Sequence, residues 1–202
     1  MYNKTEVIKV NYYYYRKSRD AAWQILNDNE ISGMPVSVLR ICRNLGVNVV
    51  YHSLEENELG RSVMIAGTPY ILLRKDMSTE MKRYVCAHEI GHILLEHFEE
   101  GKTFSYTVED RKTGRENGAE SFAMRLIAPA CVLWGCKAET AADIEKLCGV
   151  ENDYAVKRLK RMKQLYKRDK FFTSSSEQQV YQRFLPFINV YNEENKKLSA
   201  KP

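Results

Sequence analysis

Two histidines one helical turn apart are the residues of this sequence that most clearly indicate chemistry. The run His88-Glu89-Ile90-Gly91-His92 follows the pattern H-E-x-x-H. On a helix, residues four positions apart lie about 40° apart around the axis, so both imidazoles can bind one metal ion. The intervening glutamate lies beside them, where a general base for hydrolysis belongs. The pattern predicts a zinc site, and the alternative is that both histidines are ordinary polar positions on an amphipathic helix.

A catalytic zinc site has three protein ligands and a fourth position for water, so the two histidines need a third protein ligand. His97 is nine residues after His88 and half a turn off the ligand face, so it cannot join from the same helix. A carboxylate is therefore needed. Glu116 is the best candidate because it is nearly in line with the buried stripe of its helix, where a metal ion would neutralise it. Glu120, one turn later, is the rival as ligand or as an acceptor that orients a ligand imidazole. A solvated position of Glu116 at the helix start is the alternative.

The elements that position these residues follow from periodicity and from breaking residues. Helices are predicted twice between Arg19 and Gly46, from Ser78 to about His97, and from near Arg115 to before Pro129. Strands are predicted at Val47–Tyr51, Ser62–Ala66 and Tyr70–Arg74, forming a small antiparallel sheet. Residues 99–115 are polar and predicted to form a loop. The fold class is therefore α+β, mostly helical with a three-stranded antiparallel sheet.

The C-terminal third is predicted to begin with a helical pair that resembles a helix-turn-helix. Its helices are Ala141–Cys148 and Asp153 to about Lys167, separated by Gly149-Val150. A further helix from the serines at 174–176 should end near Phe184, because Pro186 follows. The composition of residues 192–202 predicts disorder.

The second helix of this pair suggests a different function, DNA binding. Residues 157–170 contain eight basic residues and one acidic residue, and a basic helix after a short turn is how a recognition helix is presented. Val156, Leu159 and Met162 form an apolar stripe along it, however, and charge on the opposite face usually serves solubility. We therefore expect this helix to pack on the rest of the protein or to contact an acidic protein surface, and nucleic-acid binding to be weak.

Composition and charge limit the cellular context. The chain has 202 residues, 44% of them hydrophobic, with a net charge of +5, so a sizeable core is expected and a strongly basic nucleic-acid binder is not. The sequence lacks an apolar run of membrane-spanning length and an N-terminal signal core, which predicts a cytoplasmic protein that does not enter a membrane. Its five cysteines are odd in number and lie mostly in apolar surroundings, as expected of reduced thiols.

The spaced motifs together resemble the ImmA/IrrE family of metallopeptidases. The resemblance rests on Ala87–Leu95, on Glu116-x-x-Ala119-x-x-Phe122-Ala123 and on Leu126-Ile127-Ala128-Pro129, with weaker agreement over residues 19–166. It implies a zincin-like fold in which His88, His92 and Glu116 bind zinc and Glu89 is catalytic. It also implies endopeptidase activity on a protein substrate, a helix-turn-helix transcriptional repressor, in mobile-element immunity or stress responses. Glu120 stands where the family usually has Asn or Asp.

The corresponding domain division has four parts. Residues 1–18 are an N-terminal extension, 19–135 the zincin-like domain, 136–170 the helical pair packed on it, and 171–202 a partly disordered C-terminal extension. By residue type, Tyr84, Tyr106 and His97 are candidates for stabilising an oxyanion. A catalytically silent protein that binds a repressor without cutting it is the remaining alternative.

Overall fold

A computed structural model describes residues 4–97, 104–107 and 114–199, with side chains over 15–97 and 114–198. Within these ranges the chain forms helices and one small sheet, which confirms the α+β class. The helices are α1 (Lys4–Asp28), α2 (Val38–Asn44), α3 (Thr79–Leu94), α4 (Gly114–Ile127), α5 (Ala130–Gly135), α6 (Ala141–Cys148), α7 (Asn152–Arg168) and α8 (Ser175–Ser199). The strands are β1 (Asn48–His52), β2 (Glu58–Ile65), β3 (Thr68–Arg74) and β4 (Phe104–Thr107).

The sheet differs from the predicted one in strand number and direction. Its order is β1-β3-β2-β4, and β1 runs parallel to β3 whereas β2 is antiparallel to both of its neighbours. The prediction of three antiparallel strands was therefore wrong on both counts. The fourth strand lies in the segment predicted to be a loop, whose other residues mostly fall outside the described ranges. Its residues Phe104-Ser105-Tyr106-Thr107 alternate between aromatic and polar types, but four residues are too few to indicate a strand within a polar segment, so its pairing with β2 decides its structure.

The β2–β3 turn is shorter than the gap between the predicted strands Ser62–Ala66 and Tyr70–Arg74. Ala66 and Gly67 both have positive φ, at 47° and 77°. Two residues of this conformation form the tight hairpin whose twist matches the flanking strands. Consequently β3 begins at Thr68, two residues earlier than the sequence indicates.

Three helices form the packing unit that carries the site. The Ser78 hydroxyl accepts a hydrogen bond from the backbone N–H of Met81 at 3.0 Å, which confirms it as the N-cap of α3. Both α3 and α1 pack against α4, whose Phe122 and Leu126 are fully buried. The boundary predicted after residue 18 lies inside α1, because that helix begins at Lys4. The division into domains remains a prediction.

The helical pair is present as α6 and α7. Gly149 ends α6 in the left-handed conformation at φ 58°, as its position in the sequence indicates. Arg158 of α7 is only 5% exposed, so this member of the basic run 157–170 does not lie on the solvated face that the sequence predicts. A role in DNA binding stays a prediction, and Arg158 is not available for it.

The C-terminal helix is longer than predicted. Pro186 lies inside α8, and the helix continues to Ser199 through most of the segment predicted to be disordered. Proline removes one backbone hydrogen bond, but Val180, Phe184 and Ile188 are buried on both sides of it, and this packing holds the helix together. The break at Pro186 and the disorder over 192–199 were therefore wrong. No helix within the described residues is both long and apolar enough to cross a membrane.

Candidate metal centre

Two adjacent helices bring two imidazoles and one carboxylate together in the core. The Nε2 atoms of His88 and His92 on α3 are 3.0 Å apart. Glu116, in the first turn of α4, places Oε2 3.1 Å from His88 Nε2 and Oε1 3.2 Å from His92 Nε2. Both histidines are almost fully buried and Glu116 is 8% exposed. The structure thus joins the three residues predicted as ligands into a group that could hold a metal ion.

The donor set suits a metal ion. Two imidazole nitrogens and a carboxylate oxygen are groups that bind metals, and one such atom from each residue lies within 4.8 Å of the other two. Burial alone would raise the pKa of Glu116, but the neighbouring imidazoles of His88 and His92 lower it to about 2. Burial lowers the pKa of His88. The site therefore favours a carboxylate and a neutral imidazole, which are the protonation states that bind metal.

A glycine explains how the two helices come close enough. A Cβ at Gly91 of α3 would lie 3.0 Å from the Cα and 3.2 Å from the carbonyl oxygen of Ala119 on α4. Carbon atoms in contact are normally 3.5–4.0 Å apart. The missing side chain therefore allows the backbone of α4 to approach α3 one turn beyond Glu116.

Glu89 lies on the side of α3 that faces the sheet. It is completely buried beside Ser62 of β2, which is itself fully buried. Burial raises the pKa of Glu89 to about 7, although His92 and Ser62 favour its charged form. A carboxylate with such a pKa can accept and release a proton near neutral pH, as a general base and acid must. Sequence patterns did not indicate Ser62, since only the pairing of the strands places it there.

His97 reaches the site from beyond the end of α3. The helix ends at Leu94, three residues before the predicted end, and Glu96 then adopts a left-handed conformation at φ 57°. The backbone N–H of Glu96 bonds to Ile93 O and that of His97 to His92 O, which is a Schellman C-cap. This turn directs His97 back, so that its Nδ1 lies 3.0 Å from His92 Nδ1, on the ring nitrogen opposite the ligand group.

His97 therefore orients a ligand residue, a role that we had not predicted. Partners of this kind fix the tautomer and direction of a metal-binding imidazole. Burial and the neighbouring His92 lower the pKa of His97 to about 3, so its ring is neutral. Glycine is the usual residue for such a cap, and a glutamate there gives no signal in the sequence.

Comparison with known families agrees with this geometry. The sequence model of the IrrE N-terminal-like domain, peptidase family M78, matches residues 42–161. The chain belongs to this family. It is therefore a metallopeptidase, and the resemblance to ImmA/IrrE proteins is confirmed. No curated protein sequence matches the chain.

The other residues singled out from the sequence lie around this M78 site rather than in it. Glu120 accepts a hydrogen bond from Lys157 of α7. The carboxylate that contacts both histidines is that of Glu116. Tyr84 is fully buried, with its ring centroid 3.7 Å from that of Tyr154 on α7 and 6.4 Å from that of His88. The side chain of Tyr106 lies outside the described ones. The oxyanion role of these tyrosines stays a prediction.

Proposed function

We propose that the protein is a zinc-dependent endopeptidase whose substrate is a protein, specifically a helix-turn-helix transcriptional repressor. The observation that carries the zinc assignment is the convergence of His88, His92 and Glu116 within 3.2 Å of one another, with a buried glutamate next to them in sequence. Two imidazoles and one carboxylate leave a bound zinc ion with one open position and a net positive charge. The family membership supports peptide hydrolysis.

Each protein group has a distinct task in this proposal. When bound, zinc supplies Lewis-acid chemistry, which polarises a carbonyl group and makes water more acidic. The Glu89 carboxylate takes the proton of the attacking water and then donates it to the departing amine, so the residue ends each cycle as it began. Burial beside Ser62 keeps bulk water away from the Glu89 carboxylate, and the pKa of Glu89, about 7, is close to neutral pH. His97 holds His92 in place from behind.

The sheet offers a way to bind an extended substrate. In the described sheet β4 is an edge strand, and its neighbour β2 carries Ser62 against Glu89. The other edge strand of the described sheet, β1, is two strands away from β2 and so farther from Glu89. A substrate strand added to β4 would therefore lie nearer to Glu89. Exposed lysines of α7, such as Lys160 and Lys163, would suit an acidic surface on the substrate protein.

The proposal is tested by separating metal binding from hydrolysis. Glu89→Gln should retain about one zinc per chain and the wild-type fold but lose cleavage of a purified repressor, because the amide cannot accept the proton. Glu80→Gln, which removes one carboxylate from the same helix outside the site, is the matched control and should cleave normally. Zinc is measured by elemental analysis and cleavage by mass spectrometry of the fragments.

The metal ligands are tested with three further variants. The double substitution His88→Ala, His92→Ala should lose zinc, and Glu116→Ala should lose more zinc than Glu120→Ala. An active Glu89→Gln protein would exclude this mechanism. A wild-type protein that binds the repressor and zinc without cutting it would indicate a silent binding protein instead.

A further inference from the structure

Three arginines gather on the side of α7 that faces α4. Arg125 of α4 and Arg158 of α7 are buried, with exposed fractions of 8% and 5%, and Arg161 of α7 is half-buried. The Arg125 guanidinium carbon lies 4.4 Å from the centre of the Tyr15 ring of α1, and that of Arg161 lies 5.5 Å from it. We call Arg125, Arg158 and Arg161 the arginine cluster.

Neutral groups accept hydrogen bonds from only some of the N–H donors of the arginine cluster. Arg161 donates to the Tyr15 hydroxyl at 2.5 Å and to Gln164 at 2.9 Å, and Arg125 donates to the backbone carbonyl of Ser121 at 2.7 Å. Arg158 differs from both, because its buried Nε and Nη2 atoms have no hydrogen-bond partner among the described residues. Each is a donor that needs an acceptor.

No carboxylate in the described parts of the chain lies within ion-pair distance of the cluster. Glu177 of α8 is also buried, but it accepts hydrogen bonds from Thr173 and forms no ion pair with the cluster. Burial raises the pKa of Glu177, whereas a paired arginine would lower it. Burial, Arg125 and Arg161 lower the pKa of Arg158 to about 10, so it is still charged at neutral pH. Among the residues whose side chains are described, the cluster therefore holds up to three positive charges with no carboxylate in ion-pair contact.

Such an arrangement is costly unless a negative group joins it. A buried charge without a partner is among the most destabilising features a core can have. We infer that the arginine cluster is a binding site for a small oxyanion, inorganic phosphate or sulfate, held between α1, α4 and α7 by Arg158 and its two neighbours. This inference does not rest on the proposed peptidase activity.

The chemistry of the cluster selects this class of ligand. Guanidinium groups present forked N–H donors that match the oxygen pairs of phosphate and sulfate. Two negative charges balance most of the three positive ones, which a chloride ion does not. A phosphate of the DNA backbone is excluded as the ligand because Arg158 is nearly inaccessible. The half-exposed Arg161 marks the side from which a small ion can enter.

The test compares phosphate binding between variants of the full chain. Calorimetric titration with inorganic phosphate, and with sulfate at the same ionic strength, should give about one ion per wild-type chain and a melting temperature that rises with its concentration. Arg158→Met should weaken binding by about tenfold to a hundredfold, as expected for losing a charged hydrogen-bonding partner. Arg161→Met, at a half-exposed position that tolerates change, should weaken it as well.

Two controls separate this site from other effects. Arg168→Met removes an exposed arginine of the same helix and should bind phosphate as the wild type does. His88→Ala removes a predicted metal ligand and should also retain phosphate binding, which shows that the ion is not held by zinc.

Specific results would overturn the inference. Equal responses to phosphate in the wild type, Arg158→Met and Arg168→Met would mean a general salt effect. An absence of binding together with an Arg158→Met protein less stable than the wild type would mean that another part of the chain already neutralises Arg158. Without phosphate we expect the opposite, that Arg158→Met melts at a higher temperature than the wild type, because methionine fills the space without the charge.

Discussion

Replacing Gly91 with alanine tests whether the metal site depends on the close approach of α3 and α4. The added methyl carbon would meet Ala119 Cα at 3.0 Å, Phe122 Cδ1 at 3.1 Å and Ala119 O at 3.2 Å. These contacts are tighter than ordinary ones, so α4 has to move away by a few tenths of an ångström. Two of the three contacts are with the backbone of α4, which cannot rotate aside as a side chain can.

The expected effect on metal binding is larger than the effect on stability. Alanine gains about 0.5–1 kcal/mol over glycine within a helix, while overpacking costs about 1–3 kcal/mol, so we expect a net loss of about 1–2 kcal/mol. Metal–ligand distances tolerate only about 0.2 Å. Glu116 lies one turn before Ala119 on the displaced helix, so zinc affinity should fall by at least about tenfold.

The assay is zinc affinity by competition with a chelator, combined with urea unfolding of the zinc-free protein. Gly33→Ala is the control, because a Cβ there meets nothing within 4 Å and the residue does not have positive φ. It should leave zinc affinity unchanged and stabilise the protein slightly. A Gly91→Ala protein that binds zinc as tightly as the wild type would refute the idea that this glycine sets the position of Glu116.

Three further predictions follow from neighbouring features. His97→Gln should weaken zinc binding by about 10- to 100-fold, measured by the same chelator competition, because His92 loses the partner that orients its ring. In the zinc-free protein the folded-state pKa of His97, about 3, lies below its unfolded value of about 6.5, so stability is complete above pH 6.5 and falls on acidification. Between pH 7 and pH 5 urea unfolding should show that the wild type loses up to about 2 kcal/mol relative to His97→Gln, because the raised pKa of Glu89 acts in the opposite direction but equally in both proteins; the same pH dependence in both would contradict this origin. All five cysteines are buried, and burial raises the pKa of Cys136 and Cys148 to about 12, so a thiol reagent should modify none in the native protein and five after unfolding.

The sequence predicted the parts of the site that depend on local spacing. His88 and His92 are brought together by the helix period alone, and the inward position of Glu116 follows from its phase relative to the buried stripe. The match between His88, His92 and Glu116 in the structure required only that α3 and α4 pack side by side.

Features that depend on non-local pairing or on unusual backbone conformations were not predictable. Ser62 reaches Glu89 through strand pairing, and His97 reaches His92 through a left-handed glutamate. Arg158 looked like part of a solvated face because the composition of a helix does not show which side its partner covers. Pro186 was read as a helix break because packing on both sides of it is a tertiary effect.

The packing of α1 on α4 has a consequence for how the family region behaves on its own. The family match begins at residue 42, after α1, and ends at residue 161, before α8. Trp23 and Leu26 of α1 are nevertheless core residues, and Asn27 donates a hydrogen bond to the backbone carbonyl of Ser176 in α8 at 3.1 Å. The first and last helices thus meet and close around the segment that carries the chemistry. A fragment of residues 42–161 would expose to water the face of α4 that α1 covers, so we expect the family region on its own to be less stable than the full chain.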